Sequence, residues 1–293
     1  LNQQYQVKTL AAEEGIPIDL ESVDVLMIIS PKSRIGETHR ESIKDYISHG
    51  GKAFIAIEPV LVDFNQLAGI SNRDSSADFI LSEFGISVES DLVFDLQSNE
   101  TLAFGTGGAG NVYLPYPYWV KAKVVESKIG GEVSNVVMPW ASTVGILDLP
   151  DSQYTVSPLI STTEFGLIDM NLRNLRPNSP AFSEATGDNF VLSDLGVALE
   201  HSNGSRMVIT GDADWISETA TRFNSNVLLG LNIIDWLAQE DNLASVRSKV
   251  VSERNLVFSS DSHRNIVQYS NIGGVPLAFV ILGLARFMQR RSK

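Results

Sequence analysis

The sequence predicts an α/β domain that carries a β-rich insertion and ends in a membrane-spanning helix. Three observations lead there. Residues 23–57 hold one strand, helix, strand unit; residues 105–158 change to a texture of Gly, Pro and aromatic residues with short β-branched runs; and residues 269–293 join a long apolar run to a basic tail.

Val23-Asp-Val-Leu-Met-Ile-Ile29 is an almost continuous apolar run of strand length closed by Ser30-Pro31, as expected of a strand buried on both faces. Thr38-His-Arg-Glu41 has the spacing of a capping box. Ile43, Tyr46 and Ile47 then recur at helical spacing until Gly50-Gly51 supplies a left-handed stop. Lys52 to Ile57 is the next strand, closed by Glu58-Pro59, and a strand–helix–strand unit of this length predicts a right-handed crossover between parallel strands. Ser75 to Phe84 reads as a second helix ending at Gly85, and Ile86 to Phe94 as a further strand. Leu195–Glu200 and Met207–Thr210 flank Asn203-Gly204, a turn pair that favours antiparallel pairing. Gly211-Asp-Ala-Asp-Trp215 follows, then an apolar helix over Val227–Ala238. The expected organisation is an α/β domain in two parts, residues 1–104 and 159–245, interrupted by the insertion at 105–158. A polar stalk at 246–268 and the terminal helix with its tail at 269–293 complete it.

Within that tail, Ile272 to Ala285 is strictly apolar, and the 20 residues from Tyr269 to Met288 contain a single charge, Arg286. A spanning helix needs about 20 apolar residues, and an arginine near its end reaches the headgroups along its aliphatic stem. Four cations and no acid follow residue 268, which puts the C-terminus on the cytoplasmic side and the rest of the chain outside the cytoplasm, anchored in the inner membrane and in contact with its lipid. The chain begins at Leu1 without an initiator Met or a signal sequence, which reads as a fragment of an exported protein.

Setting the tail aside leaves 18 Lys and Arg against 35 Asp and Glu, a balance that phosphate backbones repel, so nucleic acid is not an expected partner. The chain has no cysteine, which excludes disulfides, thiolate metal sites and cysteine nucleophiles. Gly105-Thr-Gly-Gly-Ala-Gly110 matches a dinucleotide fingerprint by letter, but Pro115 and Pro117 prevent the helix that such a loop must open. No cofactor is expected. His39, His49, His201 and His263 lack partners at metal-ligand spacing and read as surface residues, and no strand–elbow–helix nucleophile motif is present, so no catalytic or metal-ligating residue is assigned. Tyr113, Tyr116, Tyr118, Trp119 and Trp140 suit a subdomain core and a partner surface equally.

The candidate ligand-binding residues are Ser30, Glu58, Asp212 and Asp214. Each follows an expected buried strand, and in α/β sheets ligand crevices open at strand ends. Their oxygens suit a cation or a sugar-like ligand. The plainer reading is local, because aspartates favour turns and helix N-termini for their own hydrogen bonds.

Several segments, in order, resemble the extracytoplasmic domain of GldG-type auxiliary proteins of ABC transport systems, a family first linked to gliding motility. They are Asp24–Pro31, Tyr46–Pro59, Phe84–Val93, Ser157–Thr163, Val208–Trp215, Asn232–Ala238 with Val246–Lys249, and the basic end of the tail. The resemblance implies a flavodoxin-like or class I amidotransferase-like parallel sheet. It also implies a non-catalytic, membrane-anchored subunit that works beside an ABC permease and a cytoplasmic ATPase, placed in the periplasm and recognising a partner or cargo. Amidotransferases of that fold use a cysteine nucleophile, which this chain lacks. Two other functions stay open: an extracytoplasmic module binding a sugar-like ligand or a cation, and an enzyme of hydrolase or amidotransferase fold.

Overall fold

The structure, a computed structural model, describes residues 5–72, 81–105, 110–147, 153–238 and Arg286. The chain divides into two units, Leu1–Val250 and Val251–Lys293, and the fold that follows belongs to the first.

Strand β1 (Leu26–Ile29), helix α1 (Glu37–Ser48) and strand β2 (Lys52–Ala56) form the expected crossover unit, with β1 and β2 parallel from Leu26↔Ala53 to Ile29↔Ala56. His39, Ile43 and Ile47 lie four residues apart and form the buried stripe of α1. His39 is therefore a core residue and not a surface one, with Nε2 2.8 Å from the Glu13 carbonyl. The capping box does not form: α1 starts at Glu37, one residue before Thr38, and its N-cap Gly36 has no side chain to cap with. Gly50 ends the helix at φ 93°, and Asn203 Nδ2 donates to the Ser48 carbonyl from outside.

The chain continues as the hairpin β3 (Val60–Asp63) and β4 (Ala68–Ser71). Most of the helix expected over 75–84 lies outside the described residues, and Ser82–Phe84 is a single 3₁₀ turn before Gly85. The strand expected over 86–94 is two strands, β5 (Ile86–Val88) and β6 (Leu92–Asp95). There follow β7 (Asn99–Gly105), β8 (Asn111–Val124), β9 (Asn135–Pro139), β10 (Val144–Ile146), β11 (Tyr154–Ser161), β12 (Gly166–Asp169) and a short helix α2 (Pro180–Glu184). The described chain closes with β13 (Asp194–His201), β14 (Arg206–Thr210) and helix α3 (Asn224–Leu237).

Among the described residues, eight strands make one sheet in the order β1-β2-β14-β13-β11-β8-β7, with β9 also on β8. Among the described residues only the β1/β2 and β2/β14 pairs of this sheet are parallel, and its other pairs are antiparallel. The expectation of a flavodoxin-like or amidotransferase-like parallel sheet is thereby overturned in favour of a mostly β, mixed sheet. A parallel pair needs a crossover of a dozen or more residues, whereas β13 and β14 meet across the Asn203-Gly204 turn, with Gly204 at φ 92°. Nor is the β-rich stretch an insertion hung on the side: β8 and β9 belong to the same sheet as β1 and β2. Residues 105–110, which match the dinucleotide fingerprint by letter, connect β7 to β8, and a strand follows them where a nucleotide site requires a helix. The stalk at 246–268 and the span at 269–293 fall outside the described residues apart from Arg286. Among the described residues no helix is long and apolar enough to cross a membrane.

Alternation on the central strands divides the core. Ala53, Ile55, Met207 and Ile209 face Ile43 and Ile47 of α1, whereas Phe54, Ala56 and Val208 pack with Trp215 and with Leu229, Ile233 and Leu237 of α3. A third cluster is aromatic, with Tyr116, Tyr118, Trp119 and Phe94 buried. This settles four of the five aromatic residues as packing residues, Trp140 being half-buried, and leaves Tyr113 exposed. Tyr116 Oη donates to the Leu175 carbonyl at 2.6 Å and accepts from Trp140 Nε1 at 3.1 Å. Replacing Tyr116 with Phe is expected to cost about 1 kcal/mol, read as a fall of about 2–4 °C in thermal midpoint.

Candidate functional site

The register of the three parallel strands builds the site. Ile29 pairs with Ala56, and Ala56 with Thr210, so β1, β2 and β14 end in one row with their C-terminal ends on one edge. Ser30 N–H donates to the Ala56 carbonyl at 2.8 Å and Ile57 N–H to the Thr210 carbonyl at 3.0 Å, extending that row by one residue. Glu58 and Asp212 come next. All four sequence-predicted residues, Ser30, Glu58, Asp212 and Asp214, lie at this edge, and a carboxylate oxygen from each of the three acids falls within 4.8 Å of the others.

Gly211 makes the approach possible. Its N–H donates to the Leu195 carbonyl at 3.0 Å, and its carbonyl accepts from Ser142 N–H at 2.8 Å. A Cβ at this position would stand 2.2 Å from the Ser142 carbonyl oxygen, so only glycine allows the backbones to meet. Asp212 is 2% exposed. Its Oδ1 accepts the Asp214 N–H at 2.6 Å, closing the local turn that the plainer reading expected. Its carbonyl accepts from Thr210 Oγ1 at 2.9 Å, while Oδ2 finds no hydrogen-bond partner among the described residues. Ser30 adopts φ 43°, a left-handed conformation that a residue with a side chain enters at a cost, and its Oγ donates to Glu58 Oε2. Lys32, which the sequence reading did not single out, reaches back over the site: Nζ lies 2.6 Å from Ser30 Oγ and 3.1 Å from Glu58 Oε2.

The electrostatics follow from crowding acids in a dry place. Burial pushes the Asp212 carboxyl well up from its ordinary value, and the negative charges of Asp214 and Glu58 add to this. Asp214 is pushed up to about 6, first by burial and then by the Glu58 charge, with Lys32 opposing. Such groups hold their protons to higher pH in the folded protein than free carboxylates do.

Ser30 Oγ, Lys32 Nζ and Glu58 bring a hydroxyl, an amine and a carboxylate within hydrogen-bond reach. A lysine works as a general base when burial strips its proton, and the Lys32 side chain is 71% exposed and ion-paired. The ring nitrogens of His39, His49 and His201 engage Glu13, Asp45 and Asn203 instead. What the arrangement offers is a set of fixed oxygen acceptors, suited to a hard cation and closed by a mobile-length ammonium.

The family described as an ABC-type uncharacterized transport system, an auxiliary component of such systems, matches residues 1–232. The chain belongs to this family. Membership supports a non-catalytic accessory role in ABC transport. An uncharacterized protein of Borreliella burgdorferi is 23% identical over 292 residues, covering 93% of this chain. The chain spans about half of that relative's length, 57%. Among solved structures, the N-terminal domain of mmIFT52 is similar at 16% identity with a TM-score of 0.48, over 75% of this chain and 79% of that one. The family description names a transport system and makes no mention of gliding.

Proposed function

We propose that the chain is an accessory subunit of the GldG type in an ABC transport system, and that it recognises the permease or its cargo outside the cytoplasm while an ATPase works on the other side. The observation that carries this reading is the family match across residues 1–232. The cysteine-free, acidic composition suits an extracytoplasmic position.

The docking surface is centred on the β3–β4 hairpin. Leu61, Phe64 and Ile70 are exposed on it, and Ile70 is 70% exposed. Gly69 N–H donates to the Leu172 carbonyl at 2.6 Å, which holds the hairpin beside the loop that carries Met170, 73% exposed. Exposed apolar side chains grouped this way mark interaction surfaces. Ile70→Glu and Met170→Glu, placed together in the native host, are expected to cut recovery of the permease with the tagged chain by about tenfold, because charged groups would be desolvated at a docked interface. The thermal midpoint of the purified variant should stay unchanged. Undiminished recovery would remove the docking role of this face.

A further inference from the structure

We propose that Glu58, Asp212 and Asp214, with Ser30 Oγ, form a binding site for a divalent cation of the calcium class, and that Lys32 holds the position's charge in the ion-free protein. Two independent observations carry this. The three carboxylate oxygens converge within 4.8 Å. The second is Asp212, 2% exposed, whose Oδ2 is buried with no hydrogen-bond partner among the described residues, while its other oxygen accepts the Asp214 N–H of the local turn. A turn-forming aspartate explains Oδ1 and leaves Oδ2 unexplained, whereas a cation explains both.

Ligand chemistry selects the ion. All four donors are hard oxygens, which suit calcium, magnesium or manganese and disfavour zinc or copper. Oxygens about 2.4 Å from a calcium ion stand at most about 4.8 Å apart, whereas magnesium, at about 2.1 Å, requires them closer. The three oxygens lie within 4.8 Å of one another, near enough for one ion to gather them by small side-chain movements, and calcium, with its longer bonds and flexible coordination, asks for the least rearrangement. Lys32 Nζ occupies Ser30 Oγ and Glu58 Oε2 from a largely exposed side chain, so it swings into water when the ion arrives. This site lies at the ends of β1, β2 and β14 and does not depend on the permease reading, which rests on the β3–β4 face.

The test is thermal unfolding of the chelator-treated chain with calcium, magnesium or manganese chloride. Calcium at about 5 mM is expected to raise the midpoint by about 3–6 °C, magnesium by less. Asp212→Asn and, separately, Asp214→Asn should remove the shift, and Lys32→Ala should lower the calcium concentration needed for half of it by several fold. The two carboxylate variants guard against one failing to fold. No shift with any of the three ions overturns the proposal. So does an equal shift in both variants, which would reflect screening of an acidic chain.

Discussion

Gly211→Ala is expected to destabilise the protein by about 3 kcal/mol or more, lowering the thermal midpoint by about 6–12 °C. A new Cβ there meets the Ser142 carbonyl oxygen at 2.2 Å and its carbon at 3.0 Å, and both are backbone atoms of a residue whose N–H is bonded to the Gly211 carbonyl, so neither side yields cheaply. Relief requires separating Ser142 from the end of β14, which also displaces Asp212. Gly187→Ala is the control: nothing lies within 4 Å of a Cβ at Gly187, and its variant should unfold with the wild type. Equal midpoints for the two variants would show that the close approach at Gly211 does not govern this edge of the sheet.

Asp212→Asn carries the second large effect, and its sign is opposite. Asn keeps the Oδ1 acceptor for the Asp214 N–H and removes a buried carboxylate beside two others, so the variant should gain about 2–3 kcal/mol near pH 8. The pH dependence follows from the raised values. An acid whose folded value is raised binds more protons when folded, so its stability contribution is present below its unfolded value and is lost as pH rises through the folded one. For Asp214 that window runs from 3.8 to about 6, and for Asp212 it extends higher because burial pushes this group well up. The advantage of Asp212→Asn over wild type should therefore shrink toward about pH 4 and grow toward about pH 8. Thermal melts at the two pH values check it. A variant less stable than wild type at high pH would mean that the charge of Asp212 serves the fold.

How far the sequence foretold this molecule depends on the range of the interaction. The unit from Val23 to Ile57 was legible because a two-face-buried strand, a Gly stop and a short helix are local signals. The Asn203-Gly204 hairpin was legible for the same reason. One crossover unit, however, says nothing about the pairing of strands that come later, and the parallel class was an extrapolation from it. For β5 with β10, β6 with β12, and β11 with β8 and β13, the antiparallel partners are chosen by non-local register, which no single segment announces. The site residues could be found because they follow β1, β2 and β14, the three strands whose shared direction puts their ends on one edge. Lys32 escaped notice because a lysine two residues past a strand has no signal of its own. Asn226 did as well: its side chain accepts from Val137 N–H and donates to the Val137 and Trp215 carbonyls, tying α3 to β9 across 89 positions of sequence. Helical spacing marks α3 but not the polar group it buries. The tight approach at Gly211 was present only as one glycine among 22.

The fold and the site give the family's accessory role a physical form: a β-rich body with exposed apolar side chains on one hairpin and a ring of carboxylates at one sheet edge. The most direct test of that role is crosslinking of the tagged, full-length protein in its native host, followed by purification in detergent and mass spectrometry. Permease and ATPase peptides should be recovered with the chain, the permease crosslinked to it. Recovery of the chain by itself under gentle crosslinking would contradict the accessory role.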